Sequence, residues 1–121
     1  MYVLALWSGL GYYSRARNLH HCARTIVAEH GGEFPRTSAG LAQLPGIGRS
    51  TAAAIAAFCF DERAAILDGN VKRVLARHVG CEADLSTAVA RRELWLYAES
   101  LLPRAAAMAP YTQGLMDLGA L

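Results

Sequence analysis

The stretch Leu44-Pro45-Gly46-Ile47-Gly48-Arg49-Ser50-Thr51 constrains this chain more than any other. It joins a short helical pattern to a strongly apolar one, Ala52 to Phe60. Pro45 lacks an N–H and fixes its φ, while Gly46 and Gly48 are free to take left-handed backbone angles. A turn built this way presents consecutive backbone N–H groups beside the N-terminus of the following helix. Those donors and the positive end of the helix dipole suit an anion, above all a phosphate. The same residues also suit a plain helix–turn–helix corner in which the glycines only permit tight packing. Both readings fit the stretch taken alone.

Helical spacing surrounds it on both sides. Tyr2 to Ser8 places Val3, Leu6 and Trp7 at helical intervals, and Gly9-Leu10-Gly11 ends the pattern. Ser14 is the expected N-cap of a long helix from Arg15 to about His30, with Ala16, Leu19, Ala23, Ile26 and Val27 as its apolar stripe. Gly31-Gly32 supplies the C-cap. Thr37 or Ser38 caps a short helix ending near Leu44, and a helix from Arg49 to Phe60 follows the glycine turn. Its five alanines (52, 53, 54, 56 and 57) make that helix thin enough for close approach by another helix or by a ligand.

Beyond the polar break Asp61-Glu62-Arg63, a helix is predicted from Val71 to Val79, closed by Gly80. Ser86 or Thr87 caps the next, which runs to about Leu102 before Pro103. Pro110 opens a last one, Tyr111 to Leu121. No alternation of apolar and polar residues is long enough for a strand, so the expected fold class is all-α.

Composition narrows the rest. A chain of 121 residues is one small domain or a piece of a larger one, and 54% hydrophobic residues can build a core. The run Ala52 to Phe60 is too short to span a bilayer, so no membrane partner is expected. The first seven residues lack a basic n-region, which leaves a cytoplasmic protein as the expectation. Cys22, Cys59 and Cys81 are odd in number and widely spaced, suiting a reducing compartment. Cys59 reads as a small buried hydrophobe. His20 and His21 are adjacent and diverge on a helix, so no metal site is expected. A net charge of +2 excludes nothing, but Lys72 is the single lysine among 12 basic residues. Arginine suits phosphate contact through its planar fork, although it also follows genome composition.

Two further groups could carry chemistry. Asp68 follows Ile66-Leu67 and precedes Gly69, at the entrance of a helix. Asp68 and Asn70 could each cap that helix. Asp68 could equally stand at the edge of a cleft and stabilise a positively charged transition state, as glycosidic cleavage requires. One oxygen can cap while the other faces a substrate. Tyr12 and Tyr13, between Gly11 and Arg15, form an aromatic-basic cluster able to stack on bases or wedge between them, unless they pack into the core.

Three stretches together resemble the adenine DNA glycosylases of the MutY type: Gly9 to Leu19, Leu44 to Ala52, and Ile66 to Val74. They come in the family's order, and the similarity runs through essentially the whole chain. The resemblance implies a helix-hairpin-helix glycosylase fold with two helical lobes. Residues 1–60 would be part of a six-helix lobe that includes the hairpin. Residues 61–121 would be part of the second lobe, ending before an iron–sulfur loop. It also implies excision of adenine mispaired with 8-oxoguanine from double-stranded DNA, the base being flipped into a pocket between the lobes.

On that resemblance Gly46, Ile47 and Gly48 hold a DNA phosphate, with Arg49 and Arg15 as further DNA contacts. Tyr12 is the aromatic wedge near the oxidised guanine. Asp68 is the carboxylate that stabilises the sugar oxocarbenium ion, and Asn70 is a nearby polar helper. Ser50 stands where the related endonuclease III group has a lysine that attacks the sugar. A serine forms no imine, so hydrolysis without strand cleavage is implied.

The chain also departs from that pattern. The family's general acid is a glutamate in a segment upstream of Met1, and no glutamate here has a matching context. General acid catalysis is typically worth about 10²–10⁴-fold. The four cysteines of the family's [4Fe-4S] cluster would follow Leu121, so no cofactor is expected within this chain. The domain that helps read 8-oxoguanine would lie further on. The chain is therefore expected to be inactive alone, and a non-catalytic DNA-binding module is the alternative reading. Its oligomeric state is left open.

Overall fold

A computed structural model describes residues 2–6, 8–9, 11, 13–80 and 87–121. Trp7, Leu10, Tyr12, Cys81 and Ser86, all singled out above, lie outside the described residues. Every regular element among those described is helical. The first, α1 (Tyr2–Leu6), lies against α2 (Tyr13–His30). Gly31 and Gly32 close α2 with φ of +63° and +85°, and the Gly32 N–H returns to the Ile26 carbonyl at 3.0 Å. The start of α2 corrects the expectation for Ser14, which lies inside the first turn and does not cap it. Gly11, at φ +69°, turns the chain early, and the Tyr13 hydroxyl accepts the Gly9 N–H at 3.3 Å.

The short α3 (Ser38–Leu41) is capped by Thr37, whose Oγ1 accepts the Gly40 N–H at 3.0 Å. It stops before Leu44 because the glycine turn begins there. After that turn come α4 (Arg49–Phe60) and α5 (Gly69–Val79), joined by residues 61–68. Asp61 ends α4 in the left-handed region at φ 54°, and the following Glu62 N–H bonds the Ala56 carbonyl at 3.1 Å. Helix α6 (Ala88–Ser100) is capped by Thr87 and ends two residues short of Leu102. A 3₁₀ turn at Ala105–Ala107 leads into α7 (Met108–Gly119). Pro110 sits in the first turn of α7, where its missing N–H has no helical acceptor to lose.

Two apolar clusters meet at α4. Ala52 and Ala56 join Cys22, Ile26, Leu41 and Leu44 in the first. Ala53 joins Ile66, Leu67, Val71, Leu75, Leu94 and Ala98 in the second. A helix that presents only methyl groups on both flanks lets each cluster close against its backbone.

Two sequence expectations fail here. Within the α2 stripe, Leu19 is 56% and Val27 70% exposed, while Cys22 and Ile26 are buried. Besides α1, the short α3, the hairpin and α4 pack on α2, and these three cover its Cys22–Ile26 flank. Cys59 is exposed and not a core residue. The alanines fill both buried flanks of α4 and leave Cys59 on a third.

Helices α5 and α7 approach each other closely. A Cβ built on Gly119 would lie 2.3 Å from the Asn70 carbonyl oxygen, well inside contact distance. Only a glycine lets the end of α7 reach the first turn of α5.

Candidate active site

The hairpin geometry follows from its glycines. Gly46 has φ +77°, and a Cβ there would meet the Asn18 Cβ of α2 at 2.7 Å. Both its angle and its room therefore exclude a side chain. The turn is closed by the Ile47 N–H on the Leu44 carbonyl at 3.2 Å. Gly48 is the N-cap of α4, extended at φ −84° and ψ 178°, and no side chain caps that helix. Gly48, Arg49 and Thr51 are exposed, so the first N–H groups of α4 open onto solvent.

In the first turn of α4, the Ser50 Oγ accepts the Leu67 N–H at 2.9 Å. Leu67 is buried, and the bond fixes the strand-like segment that delivers Asp68. Asp68 then caps α5: its Oδ1 accepts the Val71 N–H at 2.9 Å. This is why α5 begins at Gly69 and not at Val71. The second carboxylate oxygen has no partner among the described residues.

Ser50 and Asp68 line the same cleft, of about 360 Å³. Thr51 is the remaining polar residue of its edge, and Ala54, Ile55, Phe58, Ile66 and Met116 form apolar walls. Cys59 also faces it, which accounts for its exposure. The volume lies within the roughly 300–1,000 Å³ of small-molecule sites, which pair apolar walls with a few polar groups in this way. A flat aromatic ligand fits such walls, and one carboxylate oxygen is left to meet developing positive charge.

Asn70 is not among the cleft residues. Its Oδ1 accepts from the Arg73 guanidinium, which also donates to the Gly119 carbonyl at 3.1 Å. Asn70 is thus tied to α7, two residues beyond the carboxylate. Arg49 makes its contacts within the fold on α6. Its guanidinium pairs with Glu99 at 2.8 Å and lies 3.6 Å over the Trp95 ring, both on α6. Arg15 is exposed on the first turn of α2. Tyr12 lies outside the described residues.

A larger groove of about 470 Å³ lies on another flank of α4, but its charges are already engaged. Glu62 accepts the Ser38 N–H at 3.0 Å. Arg63 donates to the carbonyls of Pro103 and Leu102 at 2.8 and 3.1 Å. No glutamate among the described residues lines the Asp68 cleft. No group of three or more His, Cys, Asp or Glu among them is placed to hold a metal. Cys22 is buried in a core cluster and Cys59 stands in the cleft, so these residues do not fit a cysteine-held iron–sulfur cluster.

Behind the cleft the Tyr97 hydroxyl lies 2.6 Å from His78 Nδ1. Burial, and then the neighbouring Tyr97, push the Tyr111 hydroxyl above its ordinary pKa of 10.0.

The residues that sequence reasoning missed are Thr51, Phe58 and Met116 in the cleft wall, Arg73 beside Asn70, and Gly119. Arg73 shares a motif with Asp68 and Asn70. Gly119 had a signal too: a glycine ending a helix pattern without a following turn residue.

A family model described as HhH-GPD superfamily base excision DNA repair protein matches residues 2–100. The chain is 45% identical over 118 residues to an adenine DNA glycosylase of Buchnera aphidicola subsp. Acyrthosiphon pisum, covering 98% of this chain and 33% of that protein. It is 47% identical over 116 residues to an adenine DNA glycosylase of Homo sapiens, covering 95% of this chain and 21% of that one. Among solved structures, a thermostable thymine-DNA glycosylase superposes with a TM-score of 0.76 at 32% identity, covering 89% of this chain and 49% of that chain. The chain therefore spans at most a third of these two curated relatives, 33% and 21% of their lengths.

Proposed function

The chain belongs to the HhH-GPD superfamily of base excision DNA repair proteins, and from that membership we propose that it carries the duplex-holding hairpin and the catalytic carboxylate of an adenine DNA glycosylase. One observation carries the reading: Ser50 and Asp68 share an apolar-walled cleft directly behind the open N-terminus of α4. A duplex backbone held on the amides around Gly46–Gly48 would bring an extruded base to that cleft. Identities of 45% and 47% to adenine enzymes, against 32% to a thymine enzyme, favour adenine as the base. We infer 8-oxoguanine as the partner base from the MutY-type resemblance of the three sequence stretches, which the duplex assay below tests.

In the reaction the N-glycosidic bond breaks and the electron pair leaves with the base. Positive charge grows on the sugar, and the free Asp68 oxygen faces it. A water oxygen then bonds to the anomeric carbon and gives up a proton. Ser50 supplies no amine, so the sugar is not captured as an imine and the strand stays intact until alkali is added. The departing base needs a proton, and no second carboxylic acid faces the cleft among the described residues. That observation favours one alternative, a module that binds duplex DNA without excising a base.

Single-turnover incubation of the chain with a duplex holding one 8-oxoguanine·adenine pair, followed by hot alkali, tests both. Slow adenine release that depends on Asp68 is expected, with no break before alkali. Equal release by Asp68→Asn would remove the catalytic assignment. Binding without any product would leave the module reading.

A further inference from the structure

We propose that a groove on α6 is a second contact for the DNA sugar-phosphate backbone, seated by Arg91 and Arg92 and lying outside the hairpin. The proposal rests on the duplex-binding reading above and adds to it a separate surface.

Its position comes from two anchors. Arg49, the first residue of α4, reaches Trp95 and Glu99 in the second half of α6. Arg63, just past the end of α4, reaches Leu102 and Pro103, just past the end of α6. Arg49 also lines a groove with Arg91 and Arg92 in the first half of α6, which therefore borders the N-terminal end of α4. That is the end at which the hairpin amides open.

The groove has a volume of about 320 Å³ and is lined by Arg49, Arg91, Arg92, Trp95, Leu96 and Glu99. Glu99 is the one carboxylate among the described residues that line it, and it is taken by Arg49. Glu93, the other acidic residue of α6, does not line it. Arg91 and Arg92 are exposed, and their side chains have no hydrogen-bond or ion-pair partner among the described residues. Among the described residues that line the groove, no unpaired carboxylate balances these two guanidiniums.

Phosphate fits it better than a base does. Trp95 is the one aromatic surface present, and the Arg49 guanidinium already covers it at 3.6 Å. No face is left for stacking, so recognition here is of charge and independent of sequence. From Arg91 and Arg92 to Glu99 is seven or eight residues of helix, about 11 Å at roughly 1.5 Å per residue. That equals about three base-pair rises along the duplex axis at roughly 3.4 Å each. A strand leaving the hairpin can therefore pass over Arg49 and reach the arginines beyond it.

The test is the salt dependence of binding by the chain to a labelled 30-base-pair duplex without a mispair. Replacing both residues (Arg91→Ala with Arg92→Ala) should weaken binding and make the plot of log K against log salt shallower by about 1 for each arginine. Lysine at both positions should restore the wild-type slope. Removing the charges of Arg77 and Arg104, outside the groove, should leave it unchanged. Wild-type slopes in the double alanine variant would overturn the proposal. So would an equal loss from the Arg77 and Arg104 pair, because the effect would then be bulk charge. If polyglutamate were released by the double variant while duplex binding held, an acidic protein would be the partner instead and the proposal would fall. A wild-type chain that binds no duplex at any salt would instead remove the DNA-binding reading itself.

Discussion

Ser50 and Leu67 are joined by one hydrogen bond, Oγ to backbone N–H at 2.9 Å, across 17 positions of sequence. The bond ties the first turn of α4, where the hairpin ends, to the residue before Asp68. It makes Ser50 a positioning residue for the carboxylate. Ser50→Ala leaves the buried Leu67 N–H without an acceptor, at a cost of about 1–3 kcal/mol. Urea unfolding should show that loss, and Ser50→Thr should recover most of it. An alanine variant as stable as wild type would mean that solvent replaces the hydroxyl.

Asp68 has two tasks that substitution can separate. Asparagine caps a helix about as well as aspartate, so Asp68→Asn should change stability by only a few tenths of a kcal/mol. Asp68→Ala removes the cap to the Val71 N–H and should cost about 0.5–2 kcal/mol. Both remove the negative charge, so both should abolish adenine release. Thermal melts run beside the excision assay distinguish the two tasks. Equal melting of the two variants would show that the cap contributes nothing.

Gly119→Ala should be among the most damaging single-methyl additions in the chain. The new Cβ would overlap the Asn70 carbonyl, which is backbone and cannot rotate away. Overpacking of this kind costs about 1–3 kcal/mol. Gly114, on the same helix with nothing within 4 Å of its built Cβ, is the control, and alanine there should be neutral or stabilising. Matching melting temperatures for the two variants would contradict the tight crossing of α5 and α7.

Tyr111 gives a pH dependence whose sign is fixed. Its hydroxyl holds the proton more tightly in the folded chain than in the unfolded one, because burial disfavours the phenolate. The stabilisation is complete below the unfolded value, about 10, and is lost as pH rises through that value towards the folded one. Stability measured by urea titration should fall above about pH 10, and Tyr111→Phe should make the fall shallower. An identical slope in the phenylalanine variant would assign the alkaline loss to other groups.

What could be read from the sequence was local. Gly46, Gly31 and Gly32 declare themselves because only glycine tolerates their positive φ, and Asp68 because a carboxylate before a helix is a cap. The hidden parts depend on residues far apart in the chain. The partners of Arg49, Glu99 and Trp95, stand some fifty residues later, and its own surroundings in the sequence do not reveal them. Cys59 reads as core because its neighbours are apolar, yet alanines already fill both buried flanks of α4. Leu19 and Val27 keep helical spacing with Ile26, but spacing does not reveal how narrow the covering elements are.

The contact of Gly119 with Asn70 also sets an order of events in folding. The Asp68 turn is held from one side by α4, seventeen positions earlier than Leu67, and from the other by α7, nearly fifty positions later. The first restraint can form while the chain is still being made. The second waits until Gly119 has left the ribosome and α7 has docked, since pairing across that span carries a loop-closure cost that only the finished contact offsets. The carboxylate turn is therefore completed only when α7 docks, after the hairpin and its bond from Ser50 can already have formed.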